Sequence, residues 1–168
     1  MLQSKKKSFN QIKIHSQYSI CEGALKIEDL KEYCKKNKIQ SVGISDTYNL
    51  SGALEFSESI SSVGTQPIIG SQILFKYKNN YGVIPLIAKN YKGYQNLIEL
   101  SSKAYLENHN NDNPHCSVED LLKFGDGLIV LSGSINNLIG NLFNKGLFDY
   151  LDELKNLLNS KFNENFYL

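Results

Sequence analysis

Short runs of β-branched and aromatic residues alternate with longer amphipathic segments along most of this 168-residue chain. The runs that predict β-strands are Gln11–His15, Ser41–Ser45, Ile68–Phe75, Val83–Ala88 and Leu128–Ser132. The segments that predict helices are Ile27–Lys38, Leu50–Ser62, Tyr91–Glu107, Val118–Phe124, Asn137–Phe143 and Leu147–Ser160. Strands that alternate with helices are typical of an α/β fold with mostly parallel strands and surrounding helices.

Length and hydropathy favour one globular domain. The apolar content of 41% is that of a chain that can bury a core. No apolar run reaches the roughly 18 residues needed to cross a bilayer, and none follows the basic stretch Lys5–Lys7 as it would in a signal peptide. We therefore expect a cytoplasmic protein without a membrane partner, with a flexible basic N-terminus at residues 1–9 and a domain at residues 10–168.

Charge and cysteine usage argue against several classes of protein. The net charge is +1, and all 18 basic residues are lysine, so the chain has no guanidinium to clamp a phosphate. Its three cysteines are far apart in sequence and form no C-x-x-C pair. We expect reduced thiols, and no nucleic-acid binding by this segment alone.

Several helix boundaries have local signals. Ser117 stands three residues before Asp120, which is the spacing of a capping box. Gly64 and Gly146 lie where a left-handed residue would end a helix. The polar segment Asn108–Pro114 predicts a surface loop.

The first predicted strand places polar side chains on one face. A period of two puts Gln11, Lys13 and His15 together, with Ile12 and Ile14 on the other side. This pattern predicts that the polar face points into a pocket.

Further polar residues stand near the ends of the next strands. Asp46 follows the second strand, Gln72 lies in the third, and Glu22 follows the first in the turn before a helix. Active sites of α/β barrels are built at the carboxyl ends of the strands. We therefore expect these side chains to meet His15 in one pocket.

A set of short segments, in this order and spacing, resembles the N-terminal PHP (polymerase and histidinol phosphatase) domain of bacterial DNA polymerase III alpha subunits. Four of them carry the site: Gln11-Ile-Lys-Ile-His-Ser-Gln-Tyr-Ser19, Glu22-Gly-Ala24, Ser45-Asp-Thr-Tyr-Asn49 and Pro67-Ile-Ile-Gly-Ser-Gln72. Three more lie outside it: Tyr48-Asn-Leu-Ser-Gly-Ala-Leu-Glu-Phe56, Lys92-Gly-Tyr-Gln-Asn-Leu97 and Gly127-Leu-Ile-Val-Leu-Ser-Gly133.

The resemblance implies a PHP-type (β/α) barrel that is incomplete within residues 10–168. A closed barrel of this class needs about 250 residues. Phe166–Leu168 resemble the opening of a further strand. We expect the missing units to leave an open sheet edge and a half-lined interior, which would expose apolar surface.

At several positions where the family's motifs have metal ligands, this chain has residues that are poor ligands. Where the family has His-x-His, this chain has Lys13 and His15. The histidine of the family's Thr-Asp-His is replaced by Thr47, and the glutamate after Pro-Ile-Ile-Gly is replaced by Gln72. The positions that replace ligands are Lys13, Thr47 and Gln72, and the remnant positions are His15, Glu22 and Asp46. A divalent cluster needs several anionic or imidazole ligands. We therefore expect no metal, no other cofactor and no catalytic residue in this domain.

The surviving polar residues can also be interpreted as structural. We hypothesise that the Lys13 ammonium replaces the lost metal charge and pairs with Asp46 or Glu22. Asp46 is predicted to stabilise the turn into the next helix, and His15 to be an ordinary strand histidine. His109 and His115, in or beside the polar loop, are interpreted as solvated.

The resemblance implies that the chain is the N-terminal part of a replicative DNA-directed DNA polymerase. Its magnesium site would lie in the polymerase domain, and its partners would be the rest of the polymerase chain, the proofreading exonuclease subunit, other replicase subunits and, through the parent polymerase, DNA. The PHP domain would be structural and catalytically silent. The alternatives are a metal-dependent phosphoesterase, acting as a 3′–5′ exonuclease or pyrophosphatase, and a free-standing enzyme such as a histidinol phosphatase.

Overall fold

A computed structural model describes residues 9–107 and 113–168. Residues 1–8 of the predicted flexible N-terminus, His109 and most of the predicted loop 108–114 lie outside this part. The strands are β1 Ser41–Thr47, β2 Gln66–Tyr77, β3 Asn80–Ala88, β4 Cys116–Ser117, β5 Leu128–Leu131 and β6 Phe166–Tyr167. The helices are α1 Ile27–Asn37, α2 Ala53–Ser61, α3 Tyr91–Leu106, α4 Val118–Lys123, α5 Leu138–Asn144 and α6 Phe148–Phe162, followed by a 3-10 turn at Asn163–Asn165.

The strands form one sheet in the order β1-β2-β3-β5-β6, with β4 beside β2. Strand β3 is antiparallel to β2 and β5, and the other strand pairs are parallel. The prediction of mostly parallel strands with surrounding helices is therefore confirmed. The exception is β3, which is antiparallel to both of its neighbours. The connection from β2 to β3, Lys78 and Asn79, is too short for a helix, and Lys78 is in the left-handed region (φ 48°).

The local boundary signals act as predicted. Ser117 accepts from the Asp120 amide at 3.1 Å while the Asp120 carboxylate accepts from the Ser117 amide at 2.9 Å, which is a complete capping box. Gly64 and Gly146 have φ of 78° and 68°, a conformation that is costly for residues with a Cβ. The short strand that begins at Phe166 pairs with β5, in agreement with the expected opening of a strand.

Two apolar clusters hold the helices on the sheet. The larger lies between β2, β3 and β5 and the helices α3 to α6, and its centre includes the fully buried Phe75. The smaller joins β1 to α1 and α2 around the fully buried Phe56. The site described below lies at the end of β1, beside this second cluster.

The opposite face of the sheet carries an open apolar groove of about 500 Å³. Its lining residues are Ile12, Ile68, Ile87, Ala88, Lys89, Ile129, Leu131 and Tyr167. Tyr167 is 54% exposed and Ile12 is 36% exposed, so apolar surface faces solvent in this groove. Within the described ranges, no helix is long and apolar enough to span a membrane.

The cysteines differ in accessibility, and this predicts selective labelling. Cys34 and Cys116 are buried and Cys21 is exposed. Burial raises the pKa of the Cys116 thiol to about 12, so its thiolate is about a thousandfold rarer at neutral pH than that of an ordinary thiol. We expect a thiol reagent at pH 8 to label Cys21 within minutes and the other two only after denaturation. Mass spectrometry of digested, labelled protein would test this, and rapid native labelling of Cys116 would contradict the buried environment.

Candidate functional site

The chain segment before the site follows β1 but does not form the predicted strand at Gln11–His15. Ile14 pairs with Ile44 through an isolated parallel bridge. The next ladder bonds are then lost, because the Ser16 amide donates to the Asp46 carboxylate at 2.7 Å and the Thr47 amide donates to the Ser19 hydroxyl at 3.1 Å. Side-chain acceptors have displaced the backbone acceptors that a parallel ladder would use.

The predicted alternation of faces in this segment is also wrong. Ile12 lines the apolar groove, whereas Ile14 packs in the cluster around β1, α1 and α2. The two isoleucines therefore lie on different sides of the sheet. A strict period of two requires a regular strand, and the segment does not keep one.

Asp46 is the most buried acidic group of the site, with 1% of its surface exposed. Besides the Ser16 amide, its carboxylate accepts from the hydroxyls of Ser16 and Ser19, each at 2.7 Å. Asp46 therefore fastens the loop after Ile14, and the prediction that it stabilises the turn into α2 is wrong. Three charge-assisted hydrogen bonds replace the solvation that the buried carboxylate has lost.

Four of the predicted site residues form one hydrogen-bonded network. The Thr47 hydroxyl donates to Glu22 Oε2 at 2.5 Å, and Gln72 Nε2 donates to Thr47 Oγ1 at 3.2 Å. Gln72 Nε2 also lies 3.1 Å from His15 Nε2, and His15 Nδ1 lies 3.5 Å from Glu22 Oε2. The network thus joins the loop after Ile14 to the end of β1 and the middle of β2.

The geometry of this network indicates which imidazole nitrogen carries the proton. The Gln72 amide nitrogen is a donor, so His15 Nε2 must accept and the ring hydrogen lies on Nδ1. Nδ1 then faces the Glu22 carboxylate and the hydroxyls of Ser19 and Thr47, at 3.4 to 3.5 Å. Each polar group in the network has a complementary neighbour without a bound ion.

Lys13 does not take the place predicted for it. Its side chain is exposed, and no ion pair joins it to Asp46 or Glu22 in the described part of the chain. The serine hydroxyls and the Thr47 hydroxyl already satisfy these two carboxylates. His115 lies away from the network, where its ring contacts Tyr81 edge-on and Nδ1 is 2.9 Å from the Asn113 carbonyl.

The donor set does not fit the divalent metal cluster that the resemblance implies for related domains. No group of three or more His, Cys, Asp or Glu side chains is placed to share an ion anywhere in residues 9–107 and 113–168. The neutral side chains of Thr47 and Gln72 contact the remaining donors, Glu22 and His15, and serines bind the carboxylate of Asp46. Neutral hydroxyl and amide groups compensate little of the charge of a divalent ion.

Ser16 and Ser19 belong to the site, although sequence reasoning did not single them out. They lie in the first resemblance segment, three residues apart, after the strand-like residues. The only feature of the sequence that pointed to them was the close spacing of Ser16 and Ser19 ahead of Asp46. Short side chains of this type commonly bind nearby groups in loops.

Two solved structures have a fold similar to that of this chain. An amidohydrolase from Chromobacterium violaceum, solved with bound sulfate and no metal, superposes with a TM-score of 0.55 over 88% of this chain and 74% of its own. A proposed metal-dependent phosphoesterase from Bifidobacterium adolescentis superposes with a TM-score of 0.51 over 90% of this chain and 83% of its own. Both are 12% identical in sequence, so the likeness concerns the fold alone.

The chain belongs to the PHP domain family, whose profile matches residues 11–168. The DNA polymerase III alpha subunit of Borreliella burgdorferi is 35% identical over an alignment that covers 95% of this chain. That of Thermus aquaticus is 31% identical over 97% of the chain. The chain spans only 15% and 14% of these two relatives.

Proposed function

We propose that this chain is the PHP part of the alpha subunit of a replicative DNA polymerase, and that its domain is structural and catalytically silent. Support for the first half comes from the alpha subunits that align with nearly the whole chain. DNA synthesis, with its magnesium ions, would then be performed by a domain outside this sequence. In this proposal the protein acts in the cytoplasm.

The observation that carries the proposed silence is the hydrogen-bonded network itself. Phosphoester hydrolysis at two-metal sites depends on ions that activate water and stabilise the leaving oxygen. Here Thr47 binds Glu22 and Gln72 binds both Thr47 and His15, through direct hydrogen bonds of 2.5 to 3.2 Å. The side chains that would have to bind an ion are bound to one another.

The same bonds suggest what the pocket does instead. In a metal site, the shared ion holds together the chain segments that carry its ligands. Here hydrogen bonds hold the loop after Ile14 to the end of β1 and the middle of β2. Asp46 adds three further bonds to the loop. We infer that the network stabilises the end of the sheet at β1 and β2. The domain in turn supports the rest of the polymerase chain. Docking of the proofreading exonuclease and contacts with other replicase subunits belong to this proposal through the family resemblance.

A metal-dependent phosphoesterase is the second candidate, favoured by the retention of His15 and Glu22 about 3.5 Å apart. It would need ligands from outside residues 9–107 and 113–168. Such ligands would have to displace Thr47 from Glu22 before an ion could bind. This requirement makes it the weaker proposal.

Metal analysis of the full-length polymerase chain separates the two candidates. We expect no stoichiometric manganese or zinc after dialysis against either ion, and no phosphodiesterase activity above that of a His15→Ala variant. DNA synthesis by the same sample serves as the control for folding. One bound ion per chain, together with activity that His15→Ala abolishes, would replace the structural proposal with the enzymatic one.

A further inference from the structure

Helix α3 presents a line of apolar side chains to solvent. Tyr91, Ile98 and Tyr105 recur at every seventh position and are 74%, 43% and 52% exposed. Residues seven apart lie on the same face of an α-helix, two turns and about 10 Å apart along its axis. The line therefore runs for about four turns along the outer surface of α3.

The opposite face of α3 packs in the core. Leu97, Leu100 and Ala104 are almost fully buried in the larger apolar cluster. An amphipathic surface helix normally has polar residues on its outer face. Helix α3 therefore has apolar residues on two faces, and the described part of the chain covers only one of them.

A pocket of about 450 Å³ lies at the N-terminal end of this exposed line. Tyr91 is one of its lining residues, together with Tyr94 and with Leu54 of α2, which is 69% exposed. The exposed apolar surface thus continues from α3 onto α2. Contiguous apolar patches mark interaction sites, and a pocket within such a patch can bind a bulky side chain of the partner.

Two charged side chains flank the line. Lys92 and Glu99 also stand seven residues apart, each directly after a residue of the line, and both are exposed. Neither forms an ion pair within residues 9–107 and 113–168. In pairs of helices, charged residues that flank an apolar seam pair with opposite charges of the partner and determine which partner binds.

We propose that this face of α3 docks against a helix of a separate partner protein. The partner helix carries apolar residues at heptad spacing against Tyr91, Ile98 and Tyr105. It also carries a carboxylate that meets Lys92 and, two turns away, a cation that meets Glu99. This inference goes beyond the proposed function, because it holds whether or not the domain is catalytically silent.

A second copy of this chain is a poorer match for the same face. In an antiparallel pair of α3 helices with Ile98 at the two-fold axis, the two copies of Glu99 would lie next to each other. Lys92 would then have no carboxylate opposite it. Like charges across an interface disfavour a partner, so the charge pattern favours a different protein.

The test uses the full chain, expressed in its own cells, with the photo-crosslinking residue benzoylphenylalanine in place of Ile98. The matched control carries it in place of Tyr33, which is 59% exposed on α1. Mass spectrometry of the irradiated and digested sample identifies each linked peptide. We expect position 98 to link to one segment of one partner protein, with apolar residues every three or four positions, and position 33 to give no such product.

Two substitutions test the contacts that define the partner. Tyr91→Asp should reduce linking from position 98 at least about tenfold, because it removes a bulky apolar contact while aspartate is well tolerated in the first turn of a helix. Lys92→Glu should reduce linking about two- to fivefold, since it turns an attraction into a repulsion. Replacement of the facing carboxylate of the partner by lysine should restore it. Tyr33→Asp is the control and should change nothing.

Linking of position 98 to several unrelated segments at similar yield, to a second copy of α3 or to another part of the same chain would overturn the proposal. The absence of any linked protein, or linking that Tyr91→Asp and Lys92→Glu both leave unchanged, would overturn it as well. None of these results bears on the proposed silence of the network, which the metal analysis tests separately.

Discussion

Replacement of Asp46 by alanine is expected to destabilise the β1 region by about 3 to 5 kcal/mol. Three buried donors lose their acceptor at once: the Ser16 amide and the hydroxyls of Ser16 and Ser19. In the variant, each of these donors stays buried without an acceptor unless the structure opens and lets water in. Hydrogen exchange, followed by mass spectrometry of peptides that cover Ser41–Thr47, measures this loss as a fall in protection of about a hundredfold or more.

Two variants give this experiment its controls. Asp46→Asn keeps one acceptor oxygen and should cost less, about 1 to 2 kcal/mol. Asp126→Ala removes an exposed aspartate that pairs with Lys161 at 2.8 Å, and it should leave the exchange of β1 unchanged. If Asp46→Ala proves as mild as Asp126→Ala, the carboxylate does not brace the loop after Ile14.

Replacement of Gly93 by alanine is expected to cost about 3 kcal/mol or more, although alanine is the better helix former. A Cβ on Gly93 would lie 1.9 Å from the Gly127 carbonyl oxygen, so the backbone of α3 would have to move away from the chain before β5. The Asn96 side chain, which donates to the Asp126 carbonyl at 2.7 Å, would move with it. Protection of α3 and β5 against hydrogen exchange should fall together.

Gly64→Ala is the matched comparison for this prediction. Nothing lies within 4 Å of a Cβ at Gly64, but its φ of 78° makes alanine unfavourable by roughly 1 kcal/mol. Backbone strain without a clash should therefore cost far less than the clash at Gly93. A Gly93→Ala variant that is as stable as the parent would show that α3 can shift freely.

Gly93 and Gly127 also explain part of the family resemblance in physical terms. They lie in two of the segments that suggested the PHP family, and in the structure these segments meet backbone to backbone. The sequence displayed both glycines without indicating that they face each other. Close approach of two backbones requires the tertiary fold to bring together residues 34 positions apart.

Helix boundaries that are set by residues close together in sequence were predicted to within one or two residues in the clearest cases. The helix predicted at Ile27–Lys38 is observed at Ile27–Asn37, and the capping box at Ser117 is complete. The direction of β3 was not predicted, because its apolar pattern is compatible with either orientation. Only the two-residue connection after Tyr77 forces the antiparallel hairpin.

The sequence by itself determined most of the helices and strands, because apolar periodicity is a local property of the chain. The order of the motifs also indicated the PHP family and the meeting of His15, Glu22 and Gln72. Tertiary structure alone decided how the acidic groups are satisfied. Asp46 lies 30 residues from Ser16, and sequence could not show whether serine hydroxyls or the Lys13 ammonium would reach it. The hydroxyls are close enough to bond directly to the buried carboxylate, whereas the ammonium remains in water, where it keeps its hydration.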